Sequence, residues 1–162
     1  MMIPGPVLMV PLYTEFRAFG WVGTLLPLWV PAFFGGAFNI FLMRQFFLTI
    51  PEELTEAARI DGCSEWTIFW RIVLPLSKPV LAVVALFTFL GGWNDFMGPL
   101  VMLRDQSRFP LSLGLFGMNI DQLNDTTLIM AGNMLMTIPV VVIFFLFQRY
   151  FIEGVTVSGM KG

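Results

Sequence analysis

Histidine does not occur anywhere in the 162 residues, and cysteine occurs once, at Cys63. Without histidine there can be no Ser-His-Asp triad and no Cys-His dyad, and most zinc sites lose their commonest ligand. A single cysteine excludes an intrachain disulfide framework and any cysteine-based metal centre. No Gly-x-x-x-x-Gly-Lys-Ser/Thr run is present, so no P-loop cradles a nucleotide in this chain. Charge is scarce as well. Only 12% of residues are Asp, Glu, Lys or Arg, about half of what a soluble domain carries, while 57% are hydrophobic. Such a chain can bury a core but cannot cover it with polar groups, which points to a membrane. The net charge of −2, with no basic arm or stripe, argues against a nucleic-acid partner.

Segments of apolar and charged sequence alternate clearly. Residues 1–14 carry no charge, and Glu15 and Arg17 then make a short polar break. The start has neither the basic region nor the small-residue cleavage site of a signal peptide. With Pro4, Pro6 and Pro11 it reads as the end of a broken membrane helix, so the chain is expected to begin inside a longer protein or at a misplaced start codon. Residues 18–43 are uncharged, although Pro27, Pro31 and Gly35-Gly36 will bend a helix there. Residues 44–78 form the charged middle. Residues 79–103 are apolar apart from Asp95, and 126–148 are free of charge.

A crossing helix needs about 20 apolar residues. The pattern predicts an all-α membrane protein, a transmembrane helix bundle with spans over 25–48, 79–103 and 126–149 and a partial span over 1–14. A short interfacial piece is expected around Glu15–Trp21. Orientation follows from the basic residues. Arg44, Arg59, Arg71 and Lys78 in the middle, with Arg149 and Lys161 in the tail, outnumber Arg17, Arg104 and Arg108 on the other side. That places 49–77 and the 150–162 tail in the cytoplasm, and 104–125 outside as an irregular loop suggested by Pro110, Gly114 and Gly117.

The 49–77 segment is too long for a plain connection and reads as two helices joined at Gly62. Thr49 and Glu52 have capping-box spacing, with Pro51 in the first turn. Glu52 and Glu53 complement the positive helix start, and glycine suits the left-handed position after the helix end. Ser64 is the expected N-cap of the second helix. Trp66, Phe69, Trp70 and Val73 then recur at helical spacing, and Leu74-Pro75 ends the helix. The aromatic side is expected to anchor on the bundle. The side bearing Leu54, Ala57 and Ala58 with Glu56 is expected to face a partner, where small residues permit close approach and a carboxylate accepts charged hydrogen bonds. An amphipathic interfacial hairpin without a partner is the plainer reading of the same periodicity.

Seven of these residues also match a known pattern. Glu56-Ala57-Ala58, three residues, Gly62, nine residues, Ile72, one residue and Leu74-Pro75 resemble the EAA motif of binding-protein-dependent ABC permeases at every fixed position. Met1-Met2-Ile3-Pro4-Gly5, Pro31–Gly36, Gly92-Trp93-Asn94-Asp95 and the ending Gly154…Gly159-Met160-Lys161-Gly162 resemble the carbohydrate-importing branch, relatives of the smaller maltose-system permease. Members of that family are longer and typically have six spans, so the resemblance implies that the first two spans and part of the third lie outside this sequence.

The resemblance implies a non-catalytic subunit of the bacterial or archaeal cytoplasmic membrane, coupled to an ABC ATPase dimer whose subunits carry the ATP and Mg. It further implies a second permease subunit and an extracytoplasmic solute-binding protein. Glu56, Ala57, Ala58 and Gly62 would contact the ATPase with Arg59 and Asp61 close by, while Ile72, Leu74 and Pro75 would shape the return to the bilayer. The tail, with Gly159, Lys161 and Gly162, would make a second contact to the ATPase. Trp93, Asn94 and Asp95 stay open between two readings. An ionisable group at that depth either lines a sugar path or belongs to a helix-end network that stabilises the bundle. Asn39 and Asn133 are read as interhelical hydrogen-bonding residues.

Overall fold

The computed structural model describes residues 4–120 and 126–158, and these are helical with turns and no strand. Among the described residues ten α-helices follow one another: α1 (Gly5–Ala18), α2 (Leu26–Trp29), α3 (Ala37–Phe47), α4 (Glu52–Ile60), α5 (Glu65–Ile68), α6 (Leu74–Leu76), α7 (Lys78–Trp93), α8 (Met97–Met102), α9 (Leu111–Ile120) and α10 (Thr126–Ser158). A 3-10 turn, Pro31–Phe34, lies between α2 and α3, and a π-helical turn, Phe69–Val73, joins α5 to α6 without a break. Among the described residues, Leu26–Phe47 and Thr126–Gln148 are long and apolar enough to cross a membrane. Glu65–Leu76 and Lys78–Trp93 pass together but meet at a bend of 71°.

The span expected over 79–103 is therefore not one helix. It stops at Trp93, and α8 begins at Met97. The polar break expected at Glu15 and Arg17 is likewise absent as a break, because both residues lie inside α1, with Arg17 in its last turn. Nor is the segment after Arg108 irregular. Pro110 immediately precedes α9, and its carbonyl accepts from the N–H groups of Leu113 (3.0 Å) and Gly114 (2.9 Å), while Gly114 and Gly117 are carried inside the helix.

Two compact units divide the chain. The first takes residues 1–35 and 91–139. Among its buried side chains are Phe16, Pro27, Pro99, Met102, Leu103, Leu113 and Leu115, and Trp21 stacks on Phe16 with ring centroids 5.6 Å apart. The Gly23 N–H donates to the Met102 carbonyl at 2.8 Å, and Arg108 donates to the Gly23 carbonyl at 3.2 Å. Arg104 reaches the Tyr13 hydroxyl at 3.3 Å. Asp105 accepts from the Ser107 N–H at 3.0 Å, and that hydrogen bond, before the weaker pull of Arg108, lowers its pKa below the usual carboxylate range.

The second unit takes residues 36–90 and 140–162. Among its described residues, Ala58, Ile68, Val80, Ala82 and Leu86 are the buried apolar ones. Within it Asn39 on α3 donates to the Thr88 hydroxyl on α7 at 3.2 Å, and Phe38 meets Phe87 edge to face. Large apolar side chains elsewhere are widely exposed: Phe33 is 78% and Phe34 81% accessible. Water does not tolerate so much apolar surface, whereas lipid or a protein partner does. The chain is an all-α membrane protein.

Candidate functional site

The segment 49–77 is a helical hairpin, and its turn is made by the backbone. After α4 the Gly62 N–H donates to the Arg59 carbonyl and the Cys63 N–H to the Ala58 carbonyl, each at 3.0 Å. This paired closure needs a left-handed residue, and Gly62 supplies it with φ of 77°. Ser64 then caps the second helix by accepting from the Thr67 N–H at 3.3 Å. The capping box expected at the start of α4 does not form. Thr49 points backward, its hydroxyl donating to the Phe46 carbonyl at 2.7 Å, and Pro51 holds the cap position with no side-chain bond.

Arg59 and Glu65 stitch the two arms across the turn. The guanidinium meets the carboxylate through two hydrogen bonds, at 2.7 and 3.3 Å. Hydrogen bonding and charge from Arg59 lower the Glu65 pKa, and Glu65 correspondingly raises that of Arg59. Both groups are exposed, so the pair orients the turn more than it stabilises it. Sequence reasoning missed Glu65. The available signal was an opposite charge six residues from Arg59 with a glycine turn between them.

The residues of the seven-residue pattern are not presented alike. Glu56, Ala57, Arg59, Asp61 and Gly62 are exposed, and Glu52, Glu53 and Glu56 make an acidic side on α4. Ala58 is buried, so the alanine pair divides: Ala57 faces out and Ala58 packs inside. Ala58 is therefore removed from the outward face expected of it, because one helical step of about 100° separates it from Ala57. Ile60 closes the outward face at 86% exposure, although an isoleucine ordinarily seeks cover.

On the second arm the expected faces are exchanged. Ile68 is buried and Ile72 and Leu74 half-buried, whereas Trp66, Phe69 and Trp70 are exposed. The aromatic side does not anchor on the described part of the chain. Leu74-Pro75 does not stop the helix either, since the turn continues through Leu76. Pro75 has no N–H to give, and just before it the Leu74 N–H reaches back five residues to Phe69, which widens the helix into its π turn.

The bend comes two residues later. Ser77 is fully buried, its N–H donates to the Val73 and Leu74 carbonyls, and its hydroxyl donates to the Val73 carbonyl at 2.6 Å. Pro79 lies in the first turn of α7, where its missing N–H costs nothing, and the axis turns at the Ser77 break before it. The flanking Pro75 and Pro79 were the sequence signal for this pivot.

The second group of candidates, Trp93, Asn94 and Asp95, runs from the last residue of α7 into the gap before α8. Trp93 donates through its indole N–H to the Met136 carbonyl at 3.0 Å. Asp95 accepts from the Gly98 N–H at 3.1 Å, and Ser112 donates to the Asp95 carbonyl at 2.8 Å. These are the bonds of a helix-end network. Asn94 is exposed. Gly98 allows the close fit, since a Cβ there would collide with the Asp95 carboxylate and press on Leu28 at 3.2 Å. Asn133 accepts through its carbonyl from Thr137 within α10. The tail residues Gly159, Lys161 and Gly162 lie outside the described residues.

Comparison with known proteins gives a consistent result. Along all of its length the chain is 41% identical to the arabinooligosaccharides transport system permease protein AraQ of Halalkalibacterium halodurans, covering 58% of that protein. It is 39% identical to the galactooligosaccharides transport system permease protein GanQ of Bacillus subtilis over 88% of this chain and 47% of that one. It is 41% identical to the sn-glycerol-3-phosphate transport system permease protein UgpE of Yersinia pestis, over 85% and 48%. The chain thus spans about half the length of the curated relatives it matches. A solved bacterial ABC transporter involved in the import of the acidic polysaccharide alginate superposes with a TM-score of 0.72 and 29% identity. The match covers 88% of this chain and 55% of that one. The model of the binding-protein-dependent transport system inner membrane component matches residues 1–157, and the chain belongs to that family.

Proposed function

We propose that the chain is a permease subunit of an ATP-driven importer of sugars or oligosaccharides, and that α4 with its Gly62 turn is where the ATPase dimer docks. The observation that carries this reading is the hairpin itself. An acidic face with Glu56 and Ala57 outward is held on a closed backbone turn, in a chain otherwise built of apolar helices. Glu56 accepts charged hydrogen bonds from the ATPase, and Ala57 lets its surface come close. ATP and Mg sit on the ATPase subunits. Their closure moves the hairpin, and the unbroken run Glu65–Leu76 passes the movement through the Ser77 bend to α7. Access then alternates because the ATPase binds the two arrangements differently.

A second permease subunit completes the pathway, and an extracytoplasmic solute-binding protein docks near residues 104–125. The hairpin and the C-terminus are cytoplasmic, where Gly159, Lys161 and Gly162 make a second contact with the ATPase. Asn94 is the exposed member of the Trp93–Asp95 group and the one offered to the solute. The likeness to the glycerol-phosphate permease, at the same identity as the arabinooligosaccharide one, supports a second reading in which the solute is a phosphate ester.

Glu56→Lys in the assembled transporter tests the docking. ATPase association and solute-stimulated hydrolysis should both be lost, and their survival refutes the assignment. Uptake of labelled arabinooligosaccharide against labelled sn-glycerol 3-phosphate separates the two solute classes. Asn94→Ala should reduce uptake without reducing assembly.

A further inference from the structure

We propose that the aromatic face of Glu65–Leu76 lies in the lipid headgroup layer, making this arm a membrane-surface anchor as well as a connection. The inference goes beyond ATPase docking and does not depend on it; it rests on α7 entering the bilayer. Trp66 is 73% exposed, Trp70 59% and Phe69 38%, with Phe69 and Trp70 edge to face at 5.4 Å. Their opposite side, through Ile68 and Ile72, is the one packed inward.

Three observations choose lipid as the occupant. The arm meets α7 at 71°. If α7 runs near the bilayer normal, the arm runs close to the membrane plane, at the depth where α7 begins. Secondly, tryptophan has an apolar ring and a polar N–H, and it concentrates at that depth. Finally, the charges on and beside the arm fit headgroups. Arg71 and Lys78 are exposed cations on long stems, able to reach lipid phosphates, while the acidic Glu65 is neutralised by its two hydrogen bonds to Arg59. The charged Glu65 and Arg71 also argue against the arm itself crossing the hydrocarbon. A tryptophan face, flanking basic residues and a modest length are the physical signature of a helix lying in the interface.

The test uses the full chain with one tryptophan retained at 66 or 70 and the other four changed to phenylalanine. It is reconstituted in phosphatidylcholine vesicles brominated either near the carboxyl end or near the methyl end of the acyl chains. Trp66 and Trp70 should each lose the larger part of their emission to shallow bromine and little to deep bromine. Equal emission in brominated and plain vesicles would mean that protein covers the face, and would overturn the proposal. Stronger quenching by deep bromine would overturn it too, by making the arm a span. Should the four-fold substitution fail to fold, Cys63→Ser with Trp66→Cys carries a nitroxide at the same place. Its collision rates with oxygen and with a water-soluble nickel chelate must both be intermediate, and exclusion of both overturns the proposal. Loss of ATPase docking in Glu56→Lys leaves either result unchanged, so the two readings fail separately.

Discussion

Gly62 and Asp95 both interrupt helices, yet the two interruptions are held by different means. At Gly62 the turn is closed by backbone bonds between residues at most five apart, and the side-chain tie that spans it is an exposed ion pair. At Asp95 a side chain caps the following helix, a hydroxyl seventeen residues away holds the same residue's carbonyl, and Trp93 reaches forty-three residues along the chain. The first turn holds its shape from within and leaves its side chains outward. The second is held by its neighbours and commits its side chains to them. A surface meant for a partner benefits from the first arrangement, because docking then need not break internal bonds.

Substitutions can break this contrast, beginning with the strongest. Gly62→Pro should cost about 3 kcal/mol or more, since proline can neither adopt the positive φ nor donate to Arg59. Hydrogen exchange should rise across α4 and α5 while α8 and α9 keep their protection. If protection falls in both places, the hairpin turn is not locally determined. Gly98→Ala should cost about 1–3 kcal/mol through the collision with Asp95 and Leu28, read as a lowered melting temperature in detergent. The exposed Gly62 turn offers no such crowding, because nothing lies within 4 Å of a Cβ there.

Asp95→Ala should cost about 1 kcal/mol by uncapping α8, and Asp95→Asn should recover most of it because an amide oxygen can still accept from Gly98. A loss of uptake with unchanged stability in both variants would make Asp95 a path residue instead. Arg59→Ala should have the smallest effect, a slight fall in melting temperature that vanishes in high salt. The same pair sets a pH dependence. The folded-state pKa of Glu65 is lowered, so its contribution is present above the ordinary glutamate range and fades as pH falls through the depressed value. Arg59 is raised, so its contribution is complete at every neutral or acidic pH. Acid should therefore release the Arg59–Glu65 tie across the hairpin turn, visible as slightly faster exchange at Cys63 while the backbone closure persists.

Much of the hairpin was legible in the sequence because its causes are local. A glycine at the left-handed position and Ser64 at the second N-cap are chemical requirements of residues next to each other. The membrane class was equally legible, as too few charges were present to solvate the apolar segments. Other features were not. The same residue spacing that predicted an inward aromatic stripe allows either face of the second arm to pack, and the structure packs Ile68. Thr49 could bond forward to α4 or backward to α3, and it bonds backward.

By itself, then, the sequence determined an all-α membrane chain, its charged hairpin and the glycine that turns it. Each follows from composition or from residues within a few positions. Only the tertiary structure decided that Ala58 is inside and Ala57 outside, that Ser77 is fully buried at the 71° bend, and that Ser112 holds Asp95 while Trp93 reaches Met136. Those outcomes depend on which surfaces meet and on bonds between residues far apart in the chain. Periodicity names the faces of a helix, but only packing chooses between them.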